Sequence, residues 1–161
     1  GEPMIARNIR DLATALHEDG YHITIETAGT VAPNGIACDL ASISPKFSNS
    51  TPLEGSIDPA WIVRHEATRH QPEVLASWVR EYPHFQIKLV VASEDDAAEA
   101  LATIRATLPD IPPWKIHLMP EGITAETLDQ RNDWLIDFCK KSGYRYCSRL
   151  HIHLFGNTKG T

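Results

Sequence analysis

The strand-like runs of this chain are two-faced, and that constrains its fold more than any other feature. In residues 85–92, Phe85, Ile87, Leu89 and Val91 fall in one row and His84, Gln86 and Lys88 in the other. Residues 21–27 put His22, Thr24 and Glu26 on one face, and residues 114–119 do the same with Lys115, His117 and Met119. A last run, 144–155, reads as a strand with Arg145, Cys147, Arg149, His151 and His153 on one face and Leu150, Ile152 and Leu154 on the other. Residues 36–44 read as a further strand after the turn Pro33-Asn34-Gly35. Between these runs lie helical patterns: 4–16, stopped by Gly20; 59–65; 71–81; a helix capped by Ser93 and running to Thr107; and one capped by Thr124 and ending near Gly143. Residues 47–58 read as a loop. Alternating strands and helices predict an α/β fold of βαβ units with mostly parallel strands and outer helices.

Strands covered on both faces would be apolar throughout. These carry a polar row that must face water or a ligand-filled space. An open barrel with a polar lumen, lined by Glu26, Lys88, Arg149 and the histidines, is one solution. A sheet with helices on one face and solvent on the other is the alternative. The 161 residues suit a single domain, 1–161.

Charge and composition narrow the function. A net charge of −6 argues against a nucleic-acid binder held by phosphates. No apolar run approaches the roughly 20 residues that cross a bilayer. The three cysteines, Cys38, Cys139 and Cys147, make no disulfide framework and point to a reducing, cytoplasmic setting. From residue 140 onward the chain is basic and holds no carboxylate side chain, which suits a local anionic ligand or a solvated edge.

Three short segments stand where chemistry is expected. Glu26-Thr27-Ala28-Gly29-Thr30 closes the first strand and Ser44-Pro45-Lys46 the second, and α/β sheets hold ligands beyond the carboxyl ends of their strands. Ser44 and Lys46 offer a hydroxyl and a cation to a carboxylate or phosphate. His151-x-His153 has metal-ligand spacing on a strand but no third ligand, so hydrogen-bonded lining histidines are the simpler reading. There is no phosphate-binding glycine loop and no nucleophile elbow.

Taken in order, the opening Gly1-Glu2-Pro3, the Glu26–Thr30 segment, Ser44-Pro45-Lys46 and the closing run from Leu150 to Gly156-Asn157-Thr158-Lys159-Gly160 resemble the 7-carboxy-7-deazaguanine synthase family of radical SAM enzymes. Gly1-Glu2-Pro3 resembles the tail of that superfamily's Gly-Gly-Glu-Pro motif. The resemblance implies a partial (incomplete) radical SAM barrel. It implies a radical carbon–nitrogen lyase that contracts 6-carboxy-5,6,7,8-tetrahydropterin to 7-carboxy-7-deazaguanine with loss of ammonia, in queuosine biosynthesis and tRNA modification. The implied cofactors are S-adenosylmethionine, a 4Fe-4S cluster and Mg²⁺. The implied partners are the carboxylated pterin, a reductase such as flavodoxin, and a second copy in a homodimer.

By the same resemblance Gly1, Glu2, Thr27, Ser44, Pro45 and Lys46 attend S-adenosylmethionine, with Met119 and Glu121 at a later strand end. The family's C-terminal residue reaches the substrate, which assigns that place to Thr161. Lys88, His151 and His153 join the substrate pocket through strand alternation, not through a motif. Three departures stand out, one being the segment 47–83, which is long for the family and implies a helical insertion there. Ala28 replaces the usual Asn or Ser, so one side-chain hydrogen bond is lost. In the family the cluster cysteines and the Mg²⁺ ligand lie ahead of Gly-Gly-Glu-Pro, so the metal ligands are expected upstream of residue 1 and none in this chain. The chain therefore reads as N-terminally truncated and is expected to form no product when given iron, sulfide and S-adenosylmethionine anaerobically. The alternative is a non-catalytic α/β module that binds S-adenosylmethionine or another small anionic ligand.

Overall fold

The computed structural model describes residues 1–158, so Lys159, Gly160 and the candidate Thr161 lie outside the described residues. The chain is α/β, with a five-stranded sheet in the order β1-β2-β3-β4-β5. The strands are β1 Thr24–Thr27, β2 Leu40–Ile43, β3 Phe85–Val91, β4 Ile116–Pro120 and β5 Arg145–Tyr146. The helices are α1 Ile9–Glu18, α2 Pro59–Thr68, α3 Pro72–Glu81, α4 Glu94–Thr107, α5 Ala125–Ser142 and α6 Leu150–Phe155. The described pairings of β1 with β2, β2 with β3 and β4 with β5 are all parallel. The backbone forms two compact units that divide inside β3, after Ile87.

The first unit is built on β1, β2 and the start of β3. Its core is Ile25, Ala41, Ile43, Ile87, Leu75 and Trp78. Trp78 is wholly buried, and its indole Nε1 donates to the Val31 carbonyl at 2.9 Å. Asp58 caps α2 through the Ala60 N–H at 2.8 Å, yet α2 buries none of its own residues.

The second unit packs α4 and α5 on the rest of the strands. Leu89, Val91, Ile116 and Leu118 are buried with Ala97, Ile104, Leu128 and Leu135. Ser93 Oγ accepts from the Asp96 N–H at 3.1 Å, while the Asp96 carboxylate turns back to the Ala92 N–H at 2.9 Å. That is one residue away from a standard capping box. Thr124 caps α5, and Gly143 ends it in the left-handed conformation at φ 75°.

The two-row strands are present: Ile87, Leu89 and Val91 are buried, while Gln86, Lys88 and Val90 are half-buried. The principal correction is at 144–155. Only Arg145–Tyr146 is strand, and Leu150–Phe155 is a short helix. Alternation over only five residues, Leu150 to Leu154, is too short to exclude a helix. Burial separates the two: Ile152 is buried while Leu150 and Leu154 are exposed, whereas one strand face would treat all three alike. His151 and His153 therefore stand about 200° apart around a helix, and no shared row joins them. Smaller corrections are at element ends. Residues 3–5 form a separate 3-10 turn ahead of α1. β1 and β2 start at Thr24 and Leu40, not at 21 and 36. Trp114 sits in a 3-10 turn before β4.

Replacing Trp78 by Phe keeps most of the buried ring but orphans the Val31 carbonyl. Chemical denaturation should show a loss of about 1–3 kcal/mol for Trp78→Phe and about 3–5 kcal/mol for Trp78→Ala.

Candidate functional site

In the first unit, β1 and β2 pair in parallel from Thr24↔Leu40 to Thr27↔Ile43, so both strands end at one edge. The Ser44 N–H donates to the Thr27 carbonyl at 2.7 Å and carries the pairing one residue past the strands. The Glu2 carboxylate joins them. It accepts from the Thr27 hydroxyl at 2.9 Å, the Ala28 N–H at 2.8 Å and the Met4 N–H at 3.1 Å. Thr27 is buried, and its hydroxyl also accepts from the Gly29 N–H at 3.0 Å. Gly29 has φ 72°, and a Cβ there would lie 2.8 Å from Ile43 Cγ2, so this turn needs glycine for conformation and for space.

Beside this turn, Pro45 is buried and Lys46 Nζ donates to Ser44 Oγ at 3.2 Å. Ser42, fully buried one register position back, accepts from Gln86 Nε2 at 2.9 Å. The structure thus gathers Glu2, Thr27, Ser44, Pro45 and Lys46 at one strand edge. Gly1 precedes Glu2 and is exposed. Glu2 and Thr27 act on the backbone of the turn, while Ser44 and Lys46 supply the hydroxyl and the cation.

The second unit holds the remaining candidates. Lys88 and Met119 are half-buried on β3 and β4. Glu121 follows β4; its N–H donates to the Val91 carbonyl at 2.9 Å, and its carboxylate pairs with Arg131 of α5. His153 contacts Asp129 at 3.1 Å, and His151 is exposed.

Several groups that the sequence placed at most in the polar lining stand out. Burial, then the charges of Arg145 and Lys88, holds the His117 imidazole below its usual value. Arg149 Nη1 donates to the Gly122 carbonyl at 2.7 Å, while its buried Nε has no partner among the described residues. At the opposite end of β1 and β2, Asp39 accepts from the Ile23 N–H at 2.7 Å beside His17 and His22. That carboxylate lines a cleft of about 740 Å³ with Cys38, Glu81 and His84. The polar row showed His117, whereas Arg149 was placed by a strand reading of 144–155 that does not hold, since Arg149 is the N-cap of α6. Nothing in the local sequence marks the Asp39 cleft.

Among the described residues no three His, Cys, Asp or Glu side chains gather as a metal site. The cysteines are free, and burial pushes the Cys139 thiol up to about 11. These residues do not fit a 4Fe-4S cluster or a Mg²⁺ ion. No described helix is long and apolar enough to cross a membrane.

Comparison with known proteins follows the strand-end reading. The chain is 39% identical over 161 residues to a 7-carboxy-7-deazaguanine synthase of Rhodopirellula baltica, covering 100% of this chain and 61% of that protein. It is 37% identical to the protein of that name from Halobacterium salinarum, covering 100% of this chain and 65% of the relative. A third, from Pyrobaculum aerophilum, is 28% identical over 99% of this chain and 64% of the relative. The chain therefore spans less than two thirds of the length of these curated relatives. No family model matches it, and no solved structure matches it significantly.

Two outcomes test this geometry. Glu2→Ala removes a charged acceptor with three donors and should lower unfolding stability by about 1–3 kcal/mol. The depressed folded value of His117 means that its contribution to stability is full above the unfolded value of 6.5 and is lost as pH falls through the folded value. His117→Gln should therefore flatten part of the acid-side decline in melting temperature. An unchanged slope would contradict that assignment.

Proposed function

From the relation of this whole chain to proteins named 7-carboxy-7-deazaguanine synthase, we propose that it forms the cofactor- and substrate-binding part of such an enzyme. The reaction would be the radical ring contraction of 6-carboxy-5,6,7,8-tetrahydropterin with loss of ammonia, on a partial radical SAM barrel. The strand-end cluster of Glu2, Thr27, Ser44 and Lys46 carries this reading. It puts a hydroxyl and an ammonium on the segment leaving β2, tied by the Ser44 N–H to the β1 turn that Glu2 and Thr27 brace, which suits the carboxylate of S-adenosylmethionine. S-adenosylmethionine held there would be the radical source for such a reaction. This chain's own part is to hold and orient it, with Met119 as a further contact.

Glu121 is better assigned to holding α5 through Arg131 than to the cofactor. On the substrate side, Lys88 keeps its place in the polar row of β3, and Thr161 keeps the role that the resemblance implies. His151 and His153 lose the alternation that recommended them. The cluster and Mg²⁺ ligands would come from outside the described residues. A flavodoxin-like electron donor, a homodimer and a cytoplasmic setting belong to the same proposal.

A second reading, a binding module for S-adenosylmethionine or another small anion without catalysis, rests on the polar strand rows and on the basic segment from residue 140 onward. Calorimetric titration with S-adenosylmethionine tests what the two readings share. Binding should weaken about tenfold or more in Lys46→Ala through loss of a charge-assisted contact. Absence of binding by the unaltered chain, or equal affinity in Lys46→Ala, would overturn the assignment of this strand edge. Conversion of the carboxylated pterin separates the two readings.

A further inference from the structure

We propose that Glu66 and Arg69, in the segment between β2 and α3, form a clamp that positions the Lys46 turn and so sets the affinity for the carboxylate-bearing cofactor. This rests on the assignment of Ser44-Pro45-Lys46 to S-adenosylmethionine.

Arg69 bridges two parts of the first unit. Its Nε donates to Glu66 Oε2 at 3.0 Å, and its Nη1 donates to the Lys46 carbonyl at 3.4 Å. The other Glu66 oxygen accepts from the Thr51 hydroxyl at 2.5 Å and meets His65 Nδ1 at 3.3 Å. Thr51 closes the turn that follows Phe47, where the Ser50 N–H and hydroxyl both reach the Phe47 carbonyl, at 3.0 and 2.7 Å. The loop leaving Lys46 and the helix returning to it are therefore tied through one carboxylate. The three donors, Thr51 first, then Arg69 and His65, hold Glu66 at about 2, so it stays ionised near neutrality.

Two observations separate this network from ordinary surface pairing. First, α2 buries no residue, so apolar packing is not what fastens this segment. Its polar contacts reach the backbone of the candidate cofactor turn. Second, the His70 ring lies 6.1 Å from that of buried Phe47, the residue after Lys46, and His70 Nδ1 is itself buried with no partner among the described residues. An orphaned buried nitrogen costs stability. A corner shaped only for stability would avoid it. Lys46-Phe47 is thus gripped on its carbonyl by Arg69 and on its ring by His70. These are positioning residues: they act through the turn and do not touch the ligand.

Titrations of the whole chain with S-adenosylmethionine, beside melting curves, test the clamp. Arg69→Gln and Glu66→Gln should each raise Kd about three- to tenfold, as expected when a backbone group loses a charged partner. Arg69→Lys keeps the charge but has no fork to bridge Glu66 and the carbonyl, so it should not restore wild-type affinity. The double variant should be no weaker than Arg69→Gln alone, because the two side chains act as one unit. Trp61→Ala, on the exposed face of α2, should leave Kd unchanged. Amide resonances of Lys46 and Phe47 should shift in Arg69→Gln before any cofactor is added. If Arg69→Gln fails to fold, the near-isosteric Glu66→Gln decides by the same readings. Variants that bind within twofold of wild type would overturn the clamp and leave the cofactor site standing. A wild-type chain that binds nothing would overturn both.

Discussion

Parallel pairing of β1 with β2 is the constraint on which the candidate site depends. Parallel strands end at the same edge of a sheet, so the segments closing β1 and β2 become neighbours although a long connection separates them. The register Thr27↔Ile43 and the hydrogen bond from Ser44 N–H to the Thr27 carbonyl fix how they meet. Glu2 then ties a third stretch of chain to the same edge through Thr27 and Ala28. Three short motifs, each weak alone, form one cluster because a single backbone pairing aligns two of them and a single carboxylate secures the third.

The cluster divides its work by chemistry. Glu2 and Thr27 spend their hydrogen bonds on backbone donors and on each other, which stiffens the turn that Gly29 makes possible. Ser44 and Lys46 present a hydroxyl and an ammonium. Pre-organised donors of this kind bind an anion with little reordering. In the second unit polar side chains pair Glu121 with Arg131, His153 with Asp129, and Tyr146 with Asn132. Their first use is to join α5 to the strand ends and to α6. His117, half-buried near two cations, is held below its usual value there.

Much of this was legible in the sequence where the signal is local. The two rows of β3 follow from alternation over seven residues, and the caps at Ser93, Thr124 and Gly143 follow from backbone chemistry that those residue types satisfy. The strand-end motifs were legible as an ordered set. The tail of the chain was not, because Leu150–Phe155 is too short for a helical period to separate from alternation, and burial of Ile152 alone decides it. The role of Glu2 as a brace was also hidden, since its partner Thr27 lies far along the chain. The tie from Glu66 through Arg69 to Lys46 has the same character. Contacts between distant side chains follow from the fold and leave no local pattern.

The most direct test of the central claim is amide shift mapping of the isotope-labelled chain during titration with S-adenosylmethionine. If the ends of β1 and β2 form the cofactor site, the saturating changes should concentrate at Thr27–Thr30 and Ser44–Phe47, with Met4 following as the Glu2 tie adjusts. Changes centred on the Asp39 cleft at the opposite end of the strands, or no saturable change at all, would contradict it.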